Sequence, residues 1–166
     1  MQPSFTVRVT KDQLGFCSGH FISYEGDRCE RLHGHNYRVA VEVEGPLDEN
    51  HYVFDFIALK RHVKTLTDAI DHRMLLPTRN RLIRVEPGPR NVQVRYRDRE
   101  WSFPVGDCVL LEIENTTAEL LARYLGERLQ EILLREHAFR PLVMRVEVEE
   151  TPGQSATVEW RLSGEA

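Results

Sequence analysis

Tyr37-Arg-Val-Ala-Val-Glu-Val-Glu44 is the stretch of sequence that decides the fold. Its larger apolar residues stand at every second position, so they share one face of a β-strand: Tyr37, Val39, Val41 and Val43. Gly45-Pro46 and the acidic turn at residues 48–50 end the pattern. The stretch therefore predicts a strand in a sheet with one buried face.

Alternating stretches elsewhere predict the other strands of this sheet. Residues 5–10 alternate, and the following segment through Phe16 and His20 is expected to form their hairpin partner. Residues 142–150 and 155–162 predict two further strands, separated by a turn at Pro152-Gly153. Strands therefore stand at both ends of the chain.

Two amphipathic helices are predicted between these strands. The first carries an apolar stripe at steps of three and four and ends near Asp71-His72; the stripe is Phe56, Leu59, Val63, Leu66 and Ile70. The second begins at Thr116, which with Glu119 fits a capping box. Its apolar positions are Leu121, Leu125, Leu129 and Ile132.

The order of elements predicts an α+β fold with two helices packed on one face of an antiparallel sheet. We expect residues 1–166 to form a single domain, which the length allows. Residues 77–114 separate the helices and are expected to form an inserted hairpin from two strand-like runs, 92–97 and 101–105.

Composition excludes several classes of protein. Hydrophobic residues make up 41% and charged residues 29%, as in a folded globular protein. The net charge of −4 gives no basic surface for nucleic acid. The opening residues do not resemble a signal peptide and no stretch is long enough to span a membrane, so a cytoplasmic location is expected by default. The three cysteines form no C-x-x-C pair, so neither a disulfide framework nor a thiolate zinc knuckle is indicated.

Three histidines are candidate zinc ligands. His33 and His35 are two residues apart and lie on the same side of an extended strand, and pairing with the preceding strand would bring His20 beside them. Three imidazoles leave a fourth position open for water or substrate, as catalytic zinc requires. By itself, however, an H-x-H pair is more typical of surface histidines that are neighbours by chance.

Cys29, the Asp71-His72 pair and Glu150 are further candidates for chemistry. A thiol beside a metal would have a lowered pKa and could act as a base, whereas a buried and inert cysteine is the commoner case. Asp71 could orient the ring of His72, which could equally interact with the dipole of the preceding helix. Glu150 could bind the amino-pyrimidinone edge of a ligand, or be solvated like its acidic neighbours.

The block Cys29-Glu-Arg-Leu-His33-Gly-His35-Asn36-Tyr37 closely resembles the 6-pyruvoyl tetrahydropterin synthase and 6-carboxytetrahydropterin synthase family. Five further blocks resemble the same family in the same order, and together the six cover most of the chain outside residues 77–114. The five are Phe16-Cys-Ser-Gly-His20, Val53-Phe-Asp55-Phe56, Ile70-Asp71-His72, Asn115-Thr-Thr-Ala-Glu119 and Val148-Glu-Glu150-Thr151.

The resemblance implies a role for each candidate residue. His20, His33 and His35 stand where the family holds zinc, and Cys29, Asp71 and His72 stand where it has a proton-transfer triad. Glu150 would anchor the pterin ring of 7,8-dihydroneopterin triphosphate, with Thr116, Thr117 and Glu119 near it. The family fold is the tunnelling fold, or T-fold, whose subunits join sheets into an oligomeric barrel. We therefore expect a tetramer or hexamer with interface active sites, in which Asp71 and His72 come from a neighbouring chain.

The motif spacing bears on the product. Three residues separate Cys29 from His33, as in bacterial enzymes of the queuosine (deazapurine) pathway that form 6-carboxy-5,6,7,8-tetrahydropterin. The Thr116-Thr117 pair is closer to the pyruvoyl-forming branch, and Leu76 stands where the family often has Asn. A zinc-dependent carbon–oxygen lyase of the carboxy branch is the leading hypothesis. The alternatives are a 6-pyruvoyl tetrahydropterin synthase and a non-catalytic pterin- or purine-binding T-fold protein.

Overall fold

A long antiparallel strand pair forms the centre of the protein. In the computed structural model, which describes residues 3–162, β1 (Phe5–His20) pairs with β4 (His33–Gly45) over most of its length. The alternation predicted for residues 37–44 is confirmed, because its four apolar side chains are all buried. Since a slip by one residue would turn these side chains outward, their burial determines the register of the pair.

Eleven strands, two α-helices and one 3-10 turn make up the described part of the chain. Besides β1 and β4, the strands are β2 (Ser23–Tyr24), β3 (Arg28–Cys29), β5 (Arg73–Pro77), β6 (Arg84–Pro87), β7 (Asn91–Tyr96), β8 (Arg99–Pro104), β9 (Cys108–Leu111), β10 (Val143–Thr151) and β11 (Gln154–Arg161). The helices are α1 (Phe56–Asp68) and α2 (Ala118–His137), and the 3-10 turn is Val105–Asp107.

The predicted hairpin within residues 5–20 was wrong, because this segment is the single strand β1. The pairing of β1 with β4 shifts register between Thr10 and Gly15, where four β1 residues stand opposite Val39 in a bulge or irregularity of the strand and not in a hairpin turn. A Cβ on Gly15 would lie 2.3 Å from the carbonyl oxygen of Tyr37. Only glycine lets β1 return this closely to β4 after the bulge.

The main sheet is antiparallel on one side and parallel on the other. Its strand order is β11-β10-β4-β1-β5-β9. The antiparallel sheet that the sequence predicted is confirmed for the first four strands. By contrast, β5 runs parallel to β1, and β9 runs parallel to β5. The sheet is therefore mixed, and its parallel side was not predicted.

Both predicted helices cover one face of this sheet. Leu59 and Val63 of α1 and Leu121 and Leu125 of α2 share a single core with the buried face of β4. The predicted capping box of α2 was wrong in its residues, since Thr117 is the N-cap and its side chain accepts a hydrogen bond from the backbone N–H of Leu120. The 118–137 helix itself is confirmed.

Residues 84–104, within the predicted 77–114 insert, form a small sheet of their own, whereas β9 at the end of that insert belongs to the main sheet. The predicted hairpin is present as β7 and β8, and β6 adds a third strand. Trp101 of β8 stacks on Phe21 with ring centroids 4.6 Å apart, so the small sheet packs beside the end of β1. Residues 1–2 and 163–166 of the predicted 1–166 domain lie outside the described residues. Among the described residues, no helix is long and apolar enough to cross a membrane.

Candidate active site

The three predicted metal ligands lie together at one end of the β1–β4 pair. His20 ends β1 and is directly opposite His33, which begins β4, and His35 projects from the same face two residues later. One ligand nitrogen from each ring can be chosen so that all three lie within 4.8 Å of one another. The strand register thus builds a group of three imidazoles that can hold a metal ion.

Backbone carbonyls orient two of these rings. Nδ1 of His20 lies 2.9 Å from the carbonyl oxygen of Thr116, and Nδ1 of His33 lies 2.8 Å from that of Arg31. A carbonyl only accepts, so in each neutral ring Nδ1 carries the proton and Nε2 has a free lone pair. Second contacts of this kind are typical of metal-binding histidines, and the donor set therefore fits a divalent transition metal.

The buried His20 is suited to act as a neutral ligand. Its side chain is only 1% exposed, and this burial lowers the pKa of His20 below its ordinary value. The ring is therefore uncharged at neutral pH, and no proton has to be displaced from Nε2 before a cation binds.

Glu150 places a carboxylate beside the same rings. Its Oε1 lies 3.4 Å from Nε2 of His20 and 3.5 Å from Nε2 of His35. The hydroxyl of Tyr37 donates to this oxygen at 3.5 Å and lies 3.2 Å from Nε2 of His20. Burial, followed by the charge of Glu150, raises the pKa of Tyr37, so its hydroxyl stays protonated. Tyr37 was predicted only as a core residue, because its hydroxyl contacts require the folded sheet.

Cys29 lies outside the histidine cluster, in the short strand β3. Its thiol is half-buried and donates to the carbonyl oxygen of Glu30 at 3.5 Å. Burial raises the pKa of Cys29, and the nearby guanidinium of Arg99 acts in the opposite direction. Within a single chain, Arg99 is therefore the group that favours the thiolate form of Cys29.

Arg99 connects the inserted sheet to this loop. Its Nη1 donates to the carbonyl oxygen of Cys29 at 3.1 Å, and its Nη2 donates to that of Glu30 at 2.9 Å. The guanidinium also lies over the ring of Trp101, 4.6 Å from the centroid. The sequence offered no sign of this contact, because Arg99 follows the loop by about 70 residues.

Glu30 is a second acid–base group that the sequence reasoning missed. Its Oε2 lies 3.8 Å from Nε2 of His33, one of the candidate ligands. Its place between Cys29 and His33 in the family-like motif was the signal that could have identified it.

Asp71 and His72 form a pair, as predicted, but do not meet Cys29 within one chain. Oδ2 of Asp71 lies 2.9 Å from Nδ1 of His72, and its Oδ1 accepts from the backbone N–H of Cys17 at 2.7 Å. That backbone hydrogen bond lowers the pKa of Asp71, with a smaller contribution from His72. The His72 side chain is 81% exposed, so its ring is open to groups outside this chain.

The other predicted substrate-binding residues lie around the start of α2. Thr116 is fully buried and positions His20 through its carbonyl, Thr117 caps the helix, and Glu119 is exposed in the first turn. Contact of Thr116, Thr117, Glu119 and Glu150 with a pterin stays a prediction. Cys17 is paired with Asn36 and so points to the opposite face of the sheet from His20.

Comparison with known proteins adds to this geometry. The sequence model of the family described as 6-pyruvoyl tetrahydropterin synthase matches residues 8–161. The chain belongs to this family. The family that the sequence resembled is thereby confirmed, and the chain is an enzyme of the 6-carboxytetrahydropterin and 6-pyruvoyl tetrahydropterin synthase type.

Relatives and solved structures agree with this membership. The putative 6-carboxy-5,6,7,8-tetrahydropterin synthase of Pyrococcus abyssi is 37% identical over 117 residues, which cover 70% of this chain and 69% of the relative. The corresponding protein of Methanocaldococcus jannaschii is 34% identical over 121 residues, or 72% of this chain and 74% of the relative. The crystal structure of 6-pyruvoyl tetrahydropterin synthase from Plasmodium vivax matches with a TM-score of 0.89 at 31% identity and covers 97% of this chain and 100% of that one. This similarity confirms the predicted T-fold.

The matching Plasmodium vivax structures include variants of a catalytic residue. Two of these structures are variants in which a catalytic glutamate is replaced, by alanine in one and by cysteine in the other. In that protein a glutamate is thus a catalytic residue.

Proposed function

We propose that this protein is a zinc-dependent carbon–oxygen lyase that converts 7,8-dihydroneopterin triphosphate to 6-carboxy-5,6,7,8-tetrahydropterin. The observation that carries the proposal is the group of three imidazoles with an open side, which stands beside Glu150 and near the Cys29–Glu30 loop. Support comes from the 6-carboxy-5,6,7,8-tetrahydropterin synthase names of the relatives and from the three-residue gap between Cys29 and His33. The product would enter the queuosine (deazapurine) pathway.

The zinc would be held by His20, His33 and His35. When bound, it supplies Lewis-acid chemistry, which polarises the side-chain oxygens of the substrate and acidifies the neighbouring C–H bonds. The nitrogen donors and their carbonyl-bound Nδ1 atoms favour zinc over a hard cation such as calcium.

The protein's own residues would divide binding from proton transfer. Glu150 would accept two hydrogen bonds from the amino-pyrimidinone edge of the pterin and so orient the ring beside the three imidazoles. Cys29 would accept a proton from the side-chain carbon, and the Asp71–His72 pair of a neighbouring subunit would donate or accept the second proton. Triphosphate would leave from the same side chain, and for the carboxy product water would add at the first side-chain carbon while the two outer carbons leave as acetaldehyde.

Glu30 is an alternative to Cys29 as the base. Its Oε2 lies 3.8 Å from Nε2 of His33, whereas burial raises the pKa of the Cys29 thiol. The catalytic glutamate of the Plasmodium vivax enzyme supports this alternative. We nevertheless assign the base to Cys29, since Arg99 favours its thiolate.

The runner-up function is 6-pyruvoyl tetrahydropterin synthase, which the Thr116-Thr117 pair and the overall similarity to the Plasmodium vivax enzyme favour. One assay separates the two functions. Zinc-loaded protein is incubated with 7,8-dihydroneopterin triphosphate, and the pterin product is identified by mass. The carboxy product is expected together with acetaldehyde, whereas the pyruvoyl product forms without it. If neither product forms, the lyase assignment is refuted.

Substitution of Cys29 tests the assignment of the base. Cys29→Ala is expected to lower kcat by at least about a hundredfold while zinc and pterin binding persist. Cys108→Ala is the matched control, because Cys108 is also half-buried, also has a raised pKa and also donates to a backbone carbonyl. Full activity of Cys29→Ala together with loss of activity in Glu30→Gln would transfer the role to Glu30.

A further inference from the structure

A second cluster of metal-ligating side chains joins the two helices, and the function proposed above makes no use of it. His62 of α1 faces His137, the last residue of α2, with their Nε2 atoms 2.8 Å apart. Oε2 of Glu136 lies 3.9 Å from Nε2 of His62. None of these residues belongs to the site at His20, His33 and His35.

The surroundings hold the two rings in place. His62 is 94% buried between the helices, and its Nε2 is directed at His137. The His137 ring packs edge-on against Phe54 with centroids 5.0 Å apart. Arg135 donates to Oε1 of Glu136 at 2.9 Å, which leaves Oε2 on the side of the histidines. The buried His62 ring would therefore lose little side-chain entropy on binding an ion.

The distances are close to those of a tetrahedral site. Ligand atoms about 2.0 to 2.1 Å from a zinc ion are separated from each other by roughly 3.3 Å. The separation of the two imidazole nitrogens, 2.8 Å, is somewhat shorter, and that of His62 from the carboxylate, 3.9 Å, is somewhat longer. Small rotations of the exposed His137 and Glu136 would equalise them.

The local electrostatics also favour a cation. His137 is at the C-terminal end of a 20-residue helix, where the unpaired carbonyls carry a partial negative charge. Glu136 adds a negative charge, which its ion pair with Arg135 partly offsets. A hydrogen bond between two neutral imidazoles explains the 2.8 Å contact without an ion, but it makes no use of the free oxygen of Glu136.

We propose that His62, Glu136 and His137 bind a second divalent transition metal ion, of the zinc class, which clips the middle of α1 to the end of α2. Water would complete its coordination. The ligands come from two helices whose apolar side chains share one core in the described part of the chain. The clip is therefore structural, and it does not depend on the activity of the first site.

The test is zinc stoichiometry in the full-length protein with the first site removed. A His33→Ala/His35→Ala double variant is dialysed against Zn²⁺, and the bound metal is quantified by mass spectrometry. One zinc per chain is expected in this variant and two in the wild type. Free zinc at 100 times the dissociation constant should lower the unfolding constant of the double variant about 100-fold.

Adding His137→Ala to the double variant should abolish the remaining zinc. The matched control is His51→Asn, since His51 is an exposed histidine with a positive φ of 63° that asparagine tolerates. This control should retain the ion. The proposal is overturned if the double variant binds no zinc, or if its zinc survives His137→Ala. The proposal is also overturned if the wild type binds one zinc per chain and the double variant binds none. That outcome needs no substitution in the helices.

Discussion

Arg99 is expected to control both the stability of the Cys29 loop and the reactivity of its thiol. Replacing it by glutamine removes the charge and the two hydrogen bonds to the carbonyls of Cys29 and Glu30. A hydrogen bond from a charged donor is worth about 1.5 to 3 kcal/mol, and stacking on Trp101 adds about 0.5 kcal/mol. Since this loop is partly open to water and glutamine can replace one contact, we expect Arg99→Gln to lower the free energy of unfolding by about 2 kcal/mol. For a chain of this size, Tm should fall by about 4 to 8 °C.

The same substitution should make Cys29 less nucleophilic. Burial already raises the pKa of this thiol, and Arg99 is the group that favours its charged form. Without Arg99 the pKa should rise further, so a smaller fraction of thiolate is present at neutral pH. The assay is the rate of alkylation by iodoacetamide as a function of pH, in a Cys17→Ala/Cys108→Ala background where only Cys29 reacts. The midpoint of the profile should move to higher pH in Arg99→Gln.

A matched substitution separates this effect from a general loss of charge. Arg97 lies on the same hairpin and pairs with Asp27 through its Nη2 at 2.6 Å, and it makes no contact with the Cys29 carbonyl. Arg97→Gln should leave the alkylation profile of Cys29 unchanged. An identical midpoint in the wild type and Arg99→Gln, with both proteins folded, would refute the electrostatic role of Arg99.

Three further substitutions test the sheet and the helix start. Gly15→Ala places a Cβ 2.3 Å from the Tyr37 carbonyl oxygen and should cost about 3 kcal/mol in urea unfolding, whereas Gly106→Ala, which meets open space, should cost little. Gly34 lies between the ligands His33 and His35, and Gly34→Ala places a Cβ 2.9 Å from a β1 carbonyl oxygen. Zinc affinity, measured by titration against a chromophoric chelator, should become about tenfold weaker. An unchanged affinity would contradict this prediction. Thr117→Ala removes the N-cap of α2 and should lower the free energy of unfolding by about 1 kcal/mol; no change would mean that the cap is dispensable.

The elements with regular burial could be predicted from the sequence, and the short ones could not. In β4 and in both helices, one face is buried and the apolar residues repeat with the period of the element. β5 and β9 have only five and four residues, and they are parallel partners from distant parts of the chain. No alternation marks such strands, so the parallel side of the sheet was missed. The bulge at Gly15 was taken for a turn for the same reason, since both interrupt an alternating pattern.

The candidate site also has one part that could be predicted from the sequence and one part that could not. His33 and His35 share a face by strand geometry, and the link to His20 follows from pairing of neighbouring strands. The contact of Arg99 depends on how the small sheet packs on the Cys29 loop, and that of Tyr37 depends on the pairing of β4 with the distant strand β10. No local pattern encodes either contact. The contact of Arg99 opposes the effect of burial on the pKa of Cys29, and that of Tyr37 shapes the environment of Glu150, so both required the structure.

The opposition of His20 and His33 across two paired strands has a consequence for folding. The loop between them has only 12 residues, so the two ligands can meet early, at a small cost in chain entropy. Displacing β4 by one residue against β1 would move His33 and His35 to the opposite surface of the sheet. An ion held by all three histidines would therefore stabilise the correctly aligned strands relative to arrangements shifted by one residue. It would favour the correct strand register while the chain folds.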